Sequence, residues 1–441
     1  MSEKTLAETL AQAQGTVRNN PEQLAEFFVQ KGYLTHFQAN KLLSGVYNGL
    51  VLGNYHILSP LGKGGMGTVY LAKDIRKPSG GNQLVALKIL PPKKAREEER
   101  MLSRFQREME LCQRVDHPHL TKTYEAGVIQ GVPFIAMEYI RGVSLRQKVT
   151  ATGPMWYAWV ARYFAEVADG LSHAHERGLI HRDLKPSNLM VTPNEHAKIL
   201  DLGLALSVDE ELPADKAIVG GAGYVVGSMD YIAPEQVSDA TAVDGRADLY
   251  AVGCSMYFAV TGSPPFPGGT SIEKMKRHRN EYAPPVTDFN PAIPIDFARV
   301  IAKLMEKNPA QRYKSAKVLR EVLLPWGAQD TSLPMDVNPD QSEAEVVLEL
   351  ESTQGTSIWE SIPLAVFVEG KEGKTPETSR SRELQALAKT KTTPPPAEDT
   401  PEMDPSISRR RYLLVIGAIL VFLLGICGLS SVIAVIVFAS K

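Results

Sequence analysis

Eight consecutive residues constrain this chain more tightly than any other stretch: His181-Arg182-Asp183-Leu184-Lys185-Pro186-Ser187-Asn188. The run sets a carboxylate, an ammonium and a side-chain amide within one loop. The rest of the chain has to fold so that the complementary parts arrive around it in the right order.

The pattern on either side of that loop gives the fold class. Short β-like runs come first, at Tyr55–Leu58, Thr68–Lys73, Val85–Leu90 and Phe134–Glu138, separated by Gly-rich or charged turns. After Gly153 long amphipathic helices take over, among them Trp156–Glu176 and Arg246–Thr261. Strands followed by helices predict an α+β unit over residues 55–325, with a sheet-rich lobe and a helical lobe. Ahead of it, residues 1–50 read as a small helical module: Asn20-Pro21 suits an N-cap and first helical residue, and Thr35 with Gln38 fits a capping box. The module is either an extension packed on the next domain or a partner-docking element.

Beyond Trp326 the apolar periodicity fades, and residues 328–408 are rich in Pro, Glu, Ser and Thr. A solvated linker is expected there, although Glu345–Glu351 and Ile358–Val368 carry enough β-branched and aromatic residues to weaken that expectation. Tyr412–Ala439 is almost wholly apolar and uncharged. As a helix, its run from Leu413 to Phe438 would extend about 39 Å, enough to cross a hydrocarbon core of about 30 Å with some tilt. Arg409, Arg410 and Arg411 abut its start and only Ser440-Lys441 follow. The positive-inside rule then predicts a single-pass protein of the cytoplasmic membrane, residues 1–411 cytoplasmic, with no sensor domain across the bilayer.

Composition excludes several classes. Charge is balanced, 48 Lys+Arg against 50 Asp+Glu, so no global basic field argues for nucleic acid. The cysteines, Cys112, Cys254 and Cys427, are far apart, which excludes a disulfide framework and fits a reducing compartment. The largely polar start of the chain carries no secretory signal pattern.

The chemistry follows from four places. A base for an incoming hydroxyl, a cation beside a moving phosphoryl and an oxygen for Mg²⁺ are what phosphoryl transfer needs, and Asp183, Lys185 and Asn188 offer them. Gly62-Lys63-Gly64-Gly65-Met66-Gly67-Thr68-Val69 is a glycine-rich turn between strands, where Gly62, Gly64 and Gly67 let backbone N–H groups approach phosphate oxygens. Lys88, on the strand Val85–Leu90, needs a carboxylate to hold it, and the charged helix Arg96–Val115 supplies candidates. Glu108 is the expected partner; Glu110, about 200° further round the helix, should face solvent. Downstream, Asp201 in Asp201-Leu202-Gly203 ends an apolar strand and is the expected second metal ligand.

With these motifs in order, residues 55 to 325 resemble the protein kinase catalytic domain, specifically the bacterial eukaryotic-like serine/threonine kinases. Ala233-Pro234-Glu235, Asp248 in Arg246-Ala247-Asp248-Leu249-Tyr250, and Arg312 in Asn308-Pro309-Ala310-Gln311-Arg312 add to the resemblance. It implies a two-lobed kinase fold, here followed by one transmembrane helix. It implies ATP and Mg²⁺ as cofactors, with Asp183, Lys185, Lys88 and Glu108 catalytic and Asn188 and Asp201 on the metal. The nucleotide would meet Leu61, Gly62, Gly64, Gly67, Val69, Ala86 and Lys88 above and Met190 below. Met137 would be the gatekeeper and Glu138 to Ile140 the adenine-contacting hinge. The resemblance also implies a buried Glu235–Arg312 ion pair and an Asp248 that braces the catalytic loop.

Lys185 and Ser228 point, within that resemblance, to Ser/Thr hydroxyls of proteins as acceptors, the chain itself included at Thr390, Thr392 or Thr393. Two departures stand out. Leu202 replaces the common Phe after Asp201, with adequate apolar bulk. The segment Leu204–Tyr231 contains no threonine, so activity is expected without the threonine phosphate that a loop arginine such as Arg182 usually reads. The alternative is a nucleotide-binding pseudokinase scaffold. Such proteins typically lose the equivalents of Lys88, Asp183 or Asp201, and all three are present. Helix–helix association in the membrane leaves a homodimer open.

Overall fold

The computed structural model describes residues 3–13, 17, 20–46, 49–63, 67–77, 83–90, 99–200, 206–207, 229–238 and 243–328. Gly64, Asp201, Tyr224, Ser228, nearly all of the linker and the whole of the apolar stretch 412–439 lie outside them. Among the described residues no helix is long and apolar enough to cross a membrane.

The chain divides into two compact units, one containing residues 1–51 and the other residues 52–352. In the first, α1 (Glu3–Gln12), α2 (Pro21–Gln30) and α3 (His36–Leu43) are short helices, the last two started by the expected residues. Gln23 N donates to Asn20 Oδ1 at 2.9 Å, and Thr35 and Gln38 exchange the two bonds of a capping box. Leu24, Phe28 and Leu42 are fully buried.

The second unit opens with a six-stranded sheet in the order β1-β2-β3-β4-β6-β5. Its strands are β1 (Val51–Leu52), β2 (Tyr55–Lys63), β3 (Thr68–Asp74), β4 (Leu84–Ile89), β5 (Thr123–Ile129) and β6 (Val132–Glu138). Every residue of β4 is buried, which is why a central strand can hold a lysine only if that lysine is paired. Edge strand β5 escapes the sequence pattern because its residues are only half covered, Tyr124 and Val128 being among the exposed apolar side chains. Its two-residue turn into β6 puts Gln130 and Gly131 at φ of 51° and 76°, the left-handed pair of a tight hairpin. Helix α4 (Glu99–Leu111) packs on this sheet, where Leu90, Phe105, Cys112 and Ile135 form a small core.

The helical lobe is built on α5 (Leu145–Thr152), α6 (Tyr157–Glu176), α7 (Pro234–Ser238), α8 (Arg246–Thr261), α9 (Ser271–Asn280), α10 (Ile295–Leu304) and α11 (Ala316–Gly327). From Ala247 to Val260 every residue of α8 is buried, so this helix is the axis of the lobe and not one of its faces. At Gly253 a Cβ would come within 2.7 Å of Leu304 Cβ, so glycine lets α8 and α10 approach. Short strands carry the site on this lobe's upper side: β7 (Val143–Ser144), β8 (Leu179–Ile180), β9 (Leu189–Val191), β10 (Ala197–Ile199) and β11 (Leu206–Ser207). β9 lies between β10 and β7, and β11 pairs with β8.

Candidate active site

The sheet contributes a lysine that its own strand buries. Lys88 stands between Val69 of β3 and Ile135 of β6, with its side chain 6% exposed. Leaving that ammonium unpaired would be costly, and Glu108 of α4, 3% exposed, meets it at 2.5 Å. Glu110 is exposed, as the helical offset predicted. Just over half a turn of α4 thus separates the carboxylate that binds the strand from the one that faces solvent.

Around Lys88 the other expected nucleotide contacts fall on adjacent strands. Ala86 pairs with Met137 across β4 and β6, and Val69 pairs with Gly62 across β2 and β3. Leu61 and Val69 are half-buried, while Ala86 and Ile140 are each 8% exposed. The glycines differ in kind. A Cβ at Gly67 would lie 2.3 Å from the Ile89 carbonyl oxygen, so Gly67 is required by the sheet itself. At Gly62, near the end of β2, a Cβ would meet nothing within 4 Å, so the space beside it is open. Behind Met137 lies a small cavity lined by Glu108, Cys112, Thr121, Thr123, Ile135 and Ile199, among others.

The octet forms a loop between β8 and β9, ending in the short helical turn Pro186–Asn188. Lys185 Nζ donates to Asp183 Oδ2 at 2.6 Å, and Asn188 Nδ2 donates to the Asp183 carbonyl at 3.0 Å. Asn188 commits an amide hydrogen to the loop in this way, which leaves Oδ1 as the atom that could meet a cation. Leu200 N donates to the Asn188 carbonyl at 2.8 Å, and His181 Nε2 donates to the Leu200 carbonyl at 3.1 Å. The loop is therefore tied to the end of the strand that leads to Asp201. Met190, half-buried on β9, sits directly after it.

Arg182 has φ of 64°, a left-handed conformation that a non-glycine residue adopts only when its surroundings impose it. The imposing group is Asp248, wholly buried on α8. Its carboxylate accepts from His181 N at 2.9 Å, from Arg182 N at 2.8 Å and from His175 Nε2 at 2.8 Å. Burial would raise this carboxyl, but the His175 bond, the charges of His175 and His181 and the Arg182 amide outweigh it. The pKa lies below the usual carboxylate value. Gln236 Nε2 donates to the Arg182 carbonyl at 2.9 Å, so both sides of the strained residue are held. Below, Arg312 forks onto Glu235 at 2.6 and 2.7 Å, the expected buried pair.

His175 and Gln236 were not singled out from the sequence. A polar residue six before His181 and one directly after Ala233-Pro234-Glu235 were the available signals. The structure brings together Lys88 with Glu108, and Asp183 with Lys185 and Asn188.

Comparison with known proteins agrees with this geometry. The protein kinase domain family matches residues 55–324, and the chain belongs to that family. Among curated relatives, serine/threonine-protein kinase PknB of Mycobacterium leprae is 34% identical over 274 residues, covering 61% of this chain and 42% of the relative. Serine/threonine-protein kinase PrkC of Bacillus subtilis is 31% identical over 267 residues, 60% of this chain and 39% of the relative. Serine/threonine-protein kinase pkn3 of Myxococcus xanthus is 36% identical over 276 residues, 61% and 49% respectively. The chain thus matches less than half the length of these relatives.

Proposed function

We propose that the chain is a serine/threonine protein kinase that transfers the γ-phosphoryl of Mg-ATP to Ser or Thr hydroxyls of proteins, itself included. The observation that carries this reading is that both polar groups are intact. Lys88 is held by Glu108 at 2.5 Å, and Asp183, Lys185 and Asn188 are joined within one loop.

The residues present fit such a nucleotide. Gly62 leaves open space near the end of β2, a buried ammonium stands on β4, and Asn188 offers a hard oxygen of the kind Mg²⁺ takes. Bound Mg-ATP would supply the phosphoryl group and the cation that screens it. Asp183 accepts the hydrogen bond of the substrate hydroxyl and aims its oxygen. Lys185 fixes the Asp183 carboxylate and places positive charge beside it. Glu108 keeps the Lys88 ammonium in place, where it would meet the α- and β-phosphates. Leu61, Val69, Ala86 and Met190 would enclose the base, Met137, Glu138 and Ile140 would border it, and Gly62, Gly64 and Gly67 would cover the phosphates. Asp201 would join Asn188 in holding the metal.

The reading extends to the whole chain as a helical module (1–50), a catalytic domain (55–325), a tether (328–408) and a single membrane anchor (412–439) that keeps the catalytic domain cytoplasmic. The apolar length of the last segment and the three arginines before it support the anchor. Radiolabelled phosphate transfer from ATP to a basic protein, assayed in membrane and soluble fractions, tests both parts. Full-length wild type should transfer label from the membrane fraction, and Asp183→Asn should lose about 10³-fold or more. Equal incorporation by the two proteins would reject the catalytic assignment, and activity found wholly in the soluble fraction would reject the anchor.

A further inference from the structure

Strand β10 carries one charged residue between two buried ones. Ala197 and Ile199 are 2% and 1% exposed, so by strand alternation Lys198 stands on the other face. Directly opposite it on β9 is Met190, the residue placed beneath the base. Residues paired across strands share a face, so Lys198 rises beside Met190. Its Nζ reaches Glu138 at the end of β6, donating to Oε1 at 2.6 Å and Oε2 at 2.7 Å. Both side chains are largely covered, 20% and 24% exposed, so this pair is not a freely solvated surface contact.

Glu138 is the first residue of the hinge. Its amide donates to the Lys122 carbonyl at 2.8 Å, and its carboxylate also accepts from the Lys122 amide at 3.4 Å. The same strand end is stitched to the neighbouring segment by backbone. Ile199 N donates to the His119 carbonyl at 2.9 Å, and the Ile199 carbonyl accepts from Thr121 N at 3.0 Å and Thr121 Oγ1 at 2.9 Å. Two residues beyond Ile199 is Asp201. The hinge that borders the base and the strand leading to the metal carboxylate are thus joined side chain to side chain by Lys198 and Glu138.

We infer that Lys198 is a positioning residue for the nucleotide: through Glu138 it holds the hinge strand against β10, fixing the hinge backbone over the face on which Met190 lies. The inference rests on the nucleotide-binding reading above. It assigns Lys198 no contact with the reacting atoms, so its effect falls on nucleotide affinity more than on turnover. The full-length chain carrying Lys198→Met should bind a non-hydrolysable ATP analogue about five- to tenfold more weakly by calorimetry, with a matching rise in KM for ATP and a smaller change in kcat. Without nucleotide, exchange of the Glu138 amide should speed up in the same variant. Lys198→Arg should restore most of the affinity, and exchanging the charges with Lys198→Glu plus Glu138→Lys should do better than either single change. Unchanged Glu138 exchange and analogue affinity in Lys198→Met would overturn the inference while leaving the kinase reading standing. An arginine variant as weak as the methionine one would overturn it too. A wild type that neither binds the analogue nor transfers phosphate would bring down both.

Discussion

Two buried carboxylates serve this site in different ways. Asp248, 0% exposed, lies on a helix buried along its whole length and accepts from two consecutive backbone amides of the loop it braces. Glu108, 3% exposed, lies on an amphipathic helix and meets a lysine on another element. The first grips backbone, in the middle of the large core of the helical lobe. The second joins two side chains over a small core of four buried residues, Leu90, Phe105, Cys112 and Ile135. The difference separates what is built to stay from what can be let go. Moving α4 parts one ion pair and a small apolar core, whereas moving the catalytic loop needs Arg182 to leave a conformation that Asp248 and Gln236 both hold.

The comparison breaks most readily at Asp248. Asp248→Ala leaves the amides of His181 and Arg182 and the His175 ring without their acceptor, at a position that is 0% exposed. A cost of about 3–5 kcal/mol is expected, with activity lost alongside stability. Urea unfolding of the variant checks this. A loss under about 1 kcal/mol would show that the loop holds itself and that Asp248 is incidental.

Glu108→Gln should separate the two properties. Glutamine keeps the shape and a hydrogen-bond acceptor but not the charge, so kcat/KM is expected to fall roughly 10²-fold, equivalent to about 2.7 kcal/mol at the barrier. The stability loss should be smaller than that of Asp248→Ala. Steady-state kinetics beside urea unfolding measures both, and a variant that loses stability as Asp248→Ala does would erase the distinction between the two carboxylates.

Much of this contrast was legible in the sequence, and the gaps have a common cause. Glu108 was separable from Glu110 because helical geometry sends residues two apart to different faces. Lys88 on an apolar strand demanded a partner, and the octet fixed the neighbours of Asp183 by adjacency. The β4 strand and the α6 helix fall where their hydrophobic patterns place them, whereas α8, expected to be amphipathic, is buried on all sides because it runs through the middle of its lobe. What was not legible joins distant residues: His175 with Asp248, 73 positions apart, and Lys198 with Glu138, 60 apart. Local period carries no trace of such pairs, and a charged residue on a short strand reads as solvated until the fold supplies its neighbour. Strand β5 was missed because an edge strand exposes apolar residues that a pattern assigns to turns.

The smallest effect sharpens the account of the helical lobe, because that lobe also buries a titratable group in its neutral form. His278 on α9 is 0% exposed, with its ring edge-on to Phe266 at 4.8 Å and Tyr250 at 5.7 Å. Burial first, then the charge of Lys307, pulls its pKa to about 3, with Asp230 pulling weakly the other way. Between the ordinary value of 6.5 and about 3, the unfolded chain therefore takes up a proton that the folded chain refuses. Stability falls as pH falls through that window, by about 2 kcal/mol at pH 5 from this group. Asp248 acts in the opposite sense of charge and in a lower window. Its depressed pKa gives stability that is present above 3.8 and lost only as pH falls further. The two contributions are thus separable by pH. Urea unfolding at pH 7 and pH 5 should show His278→Gln losing less stability between the two than wild type does, by that same 2 kcal/mol or so. An identical pH dependence in the variant would mean that the folded lobe admits the proton, and that its core around α8 and α9 is less closed than its packing indicates.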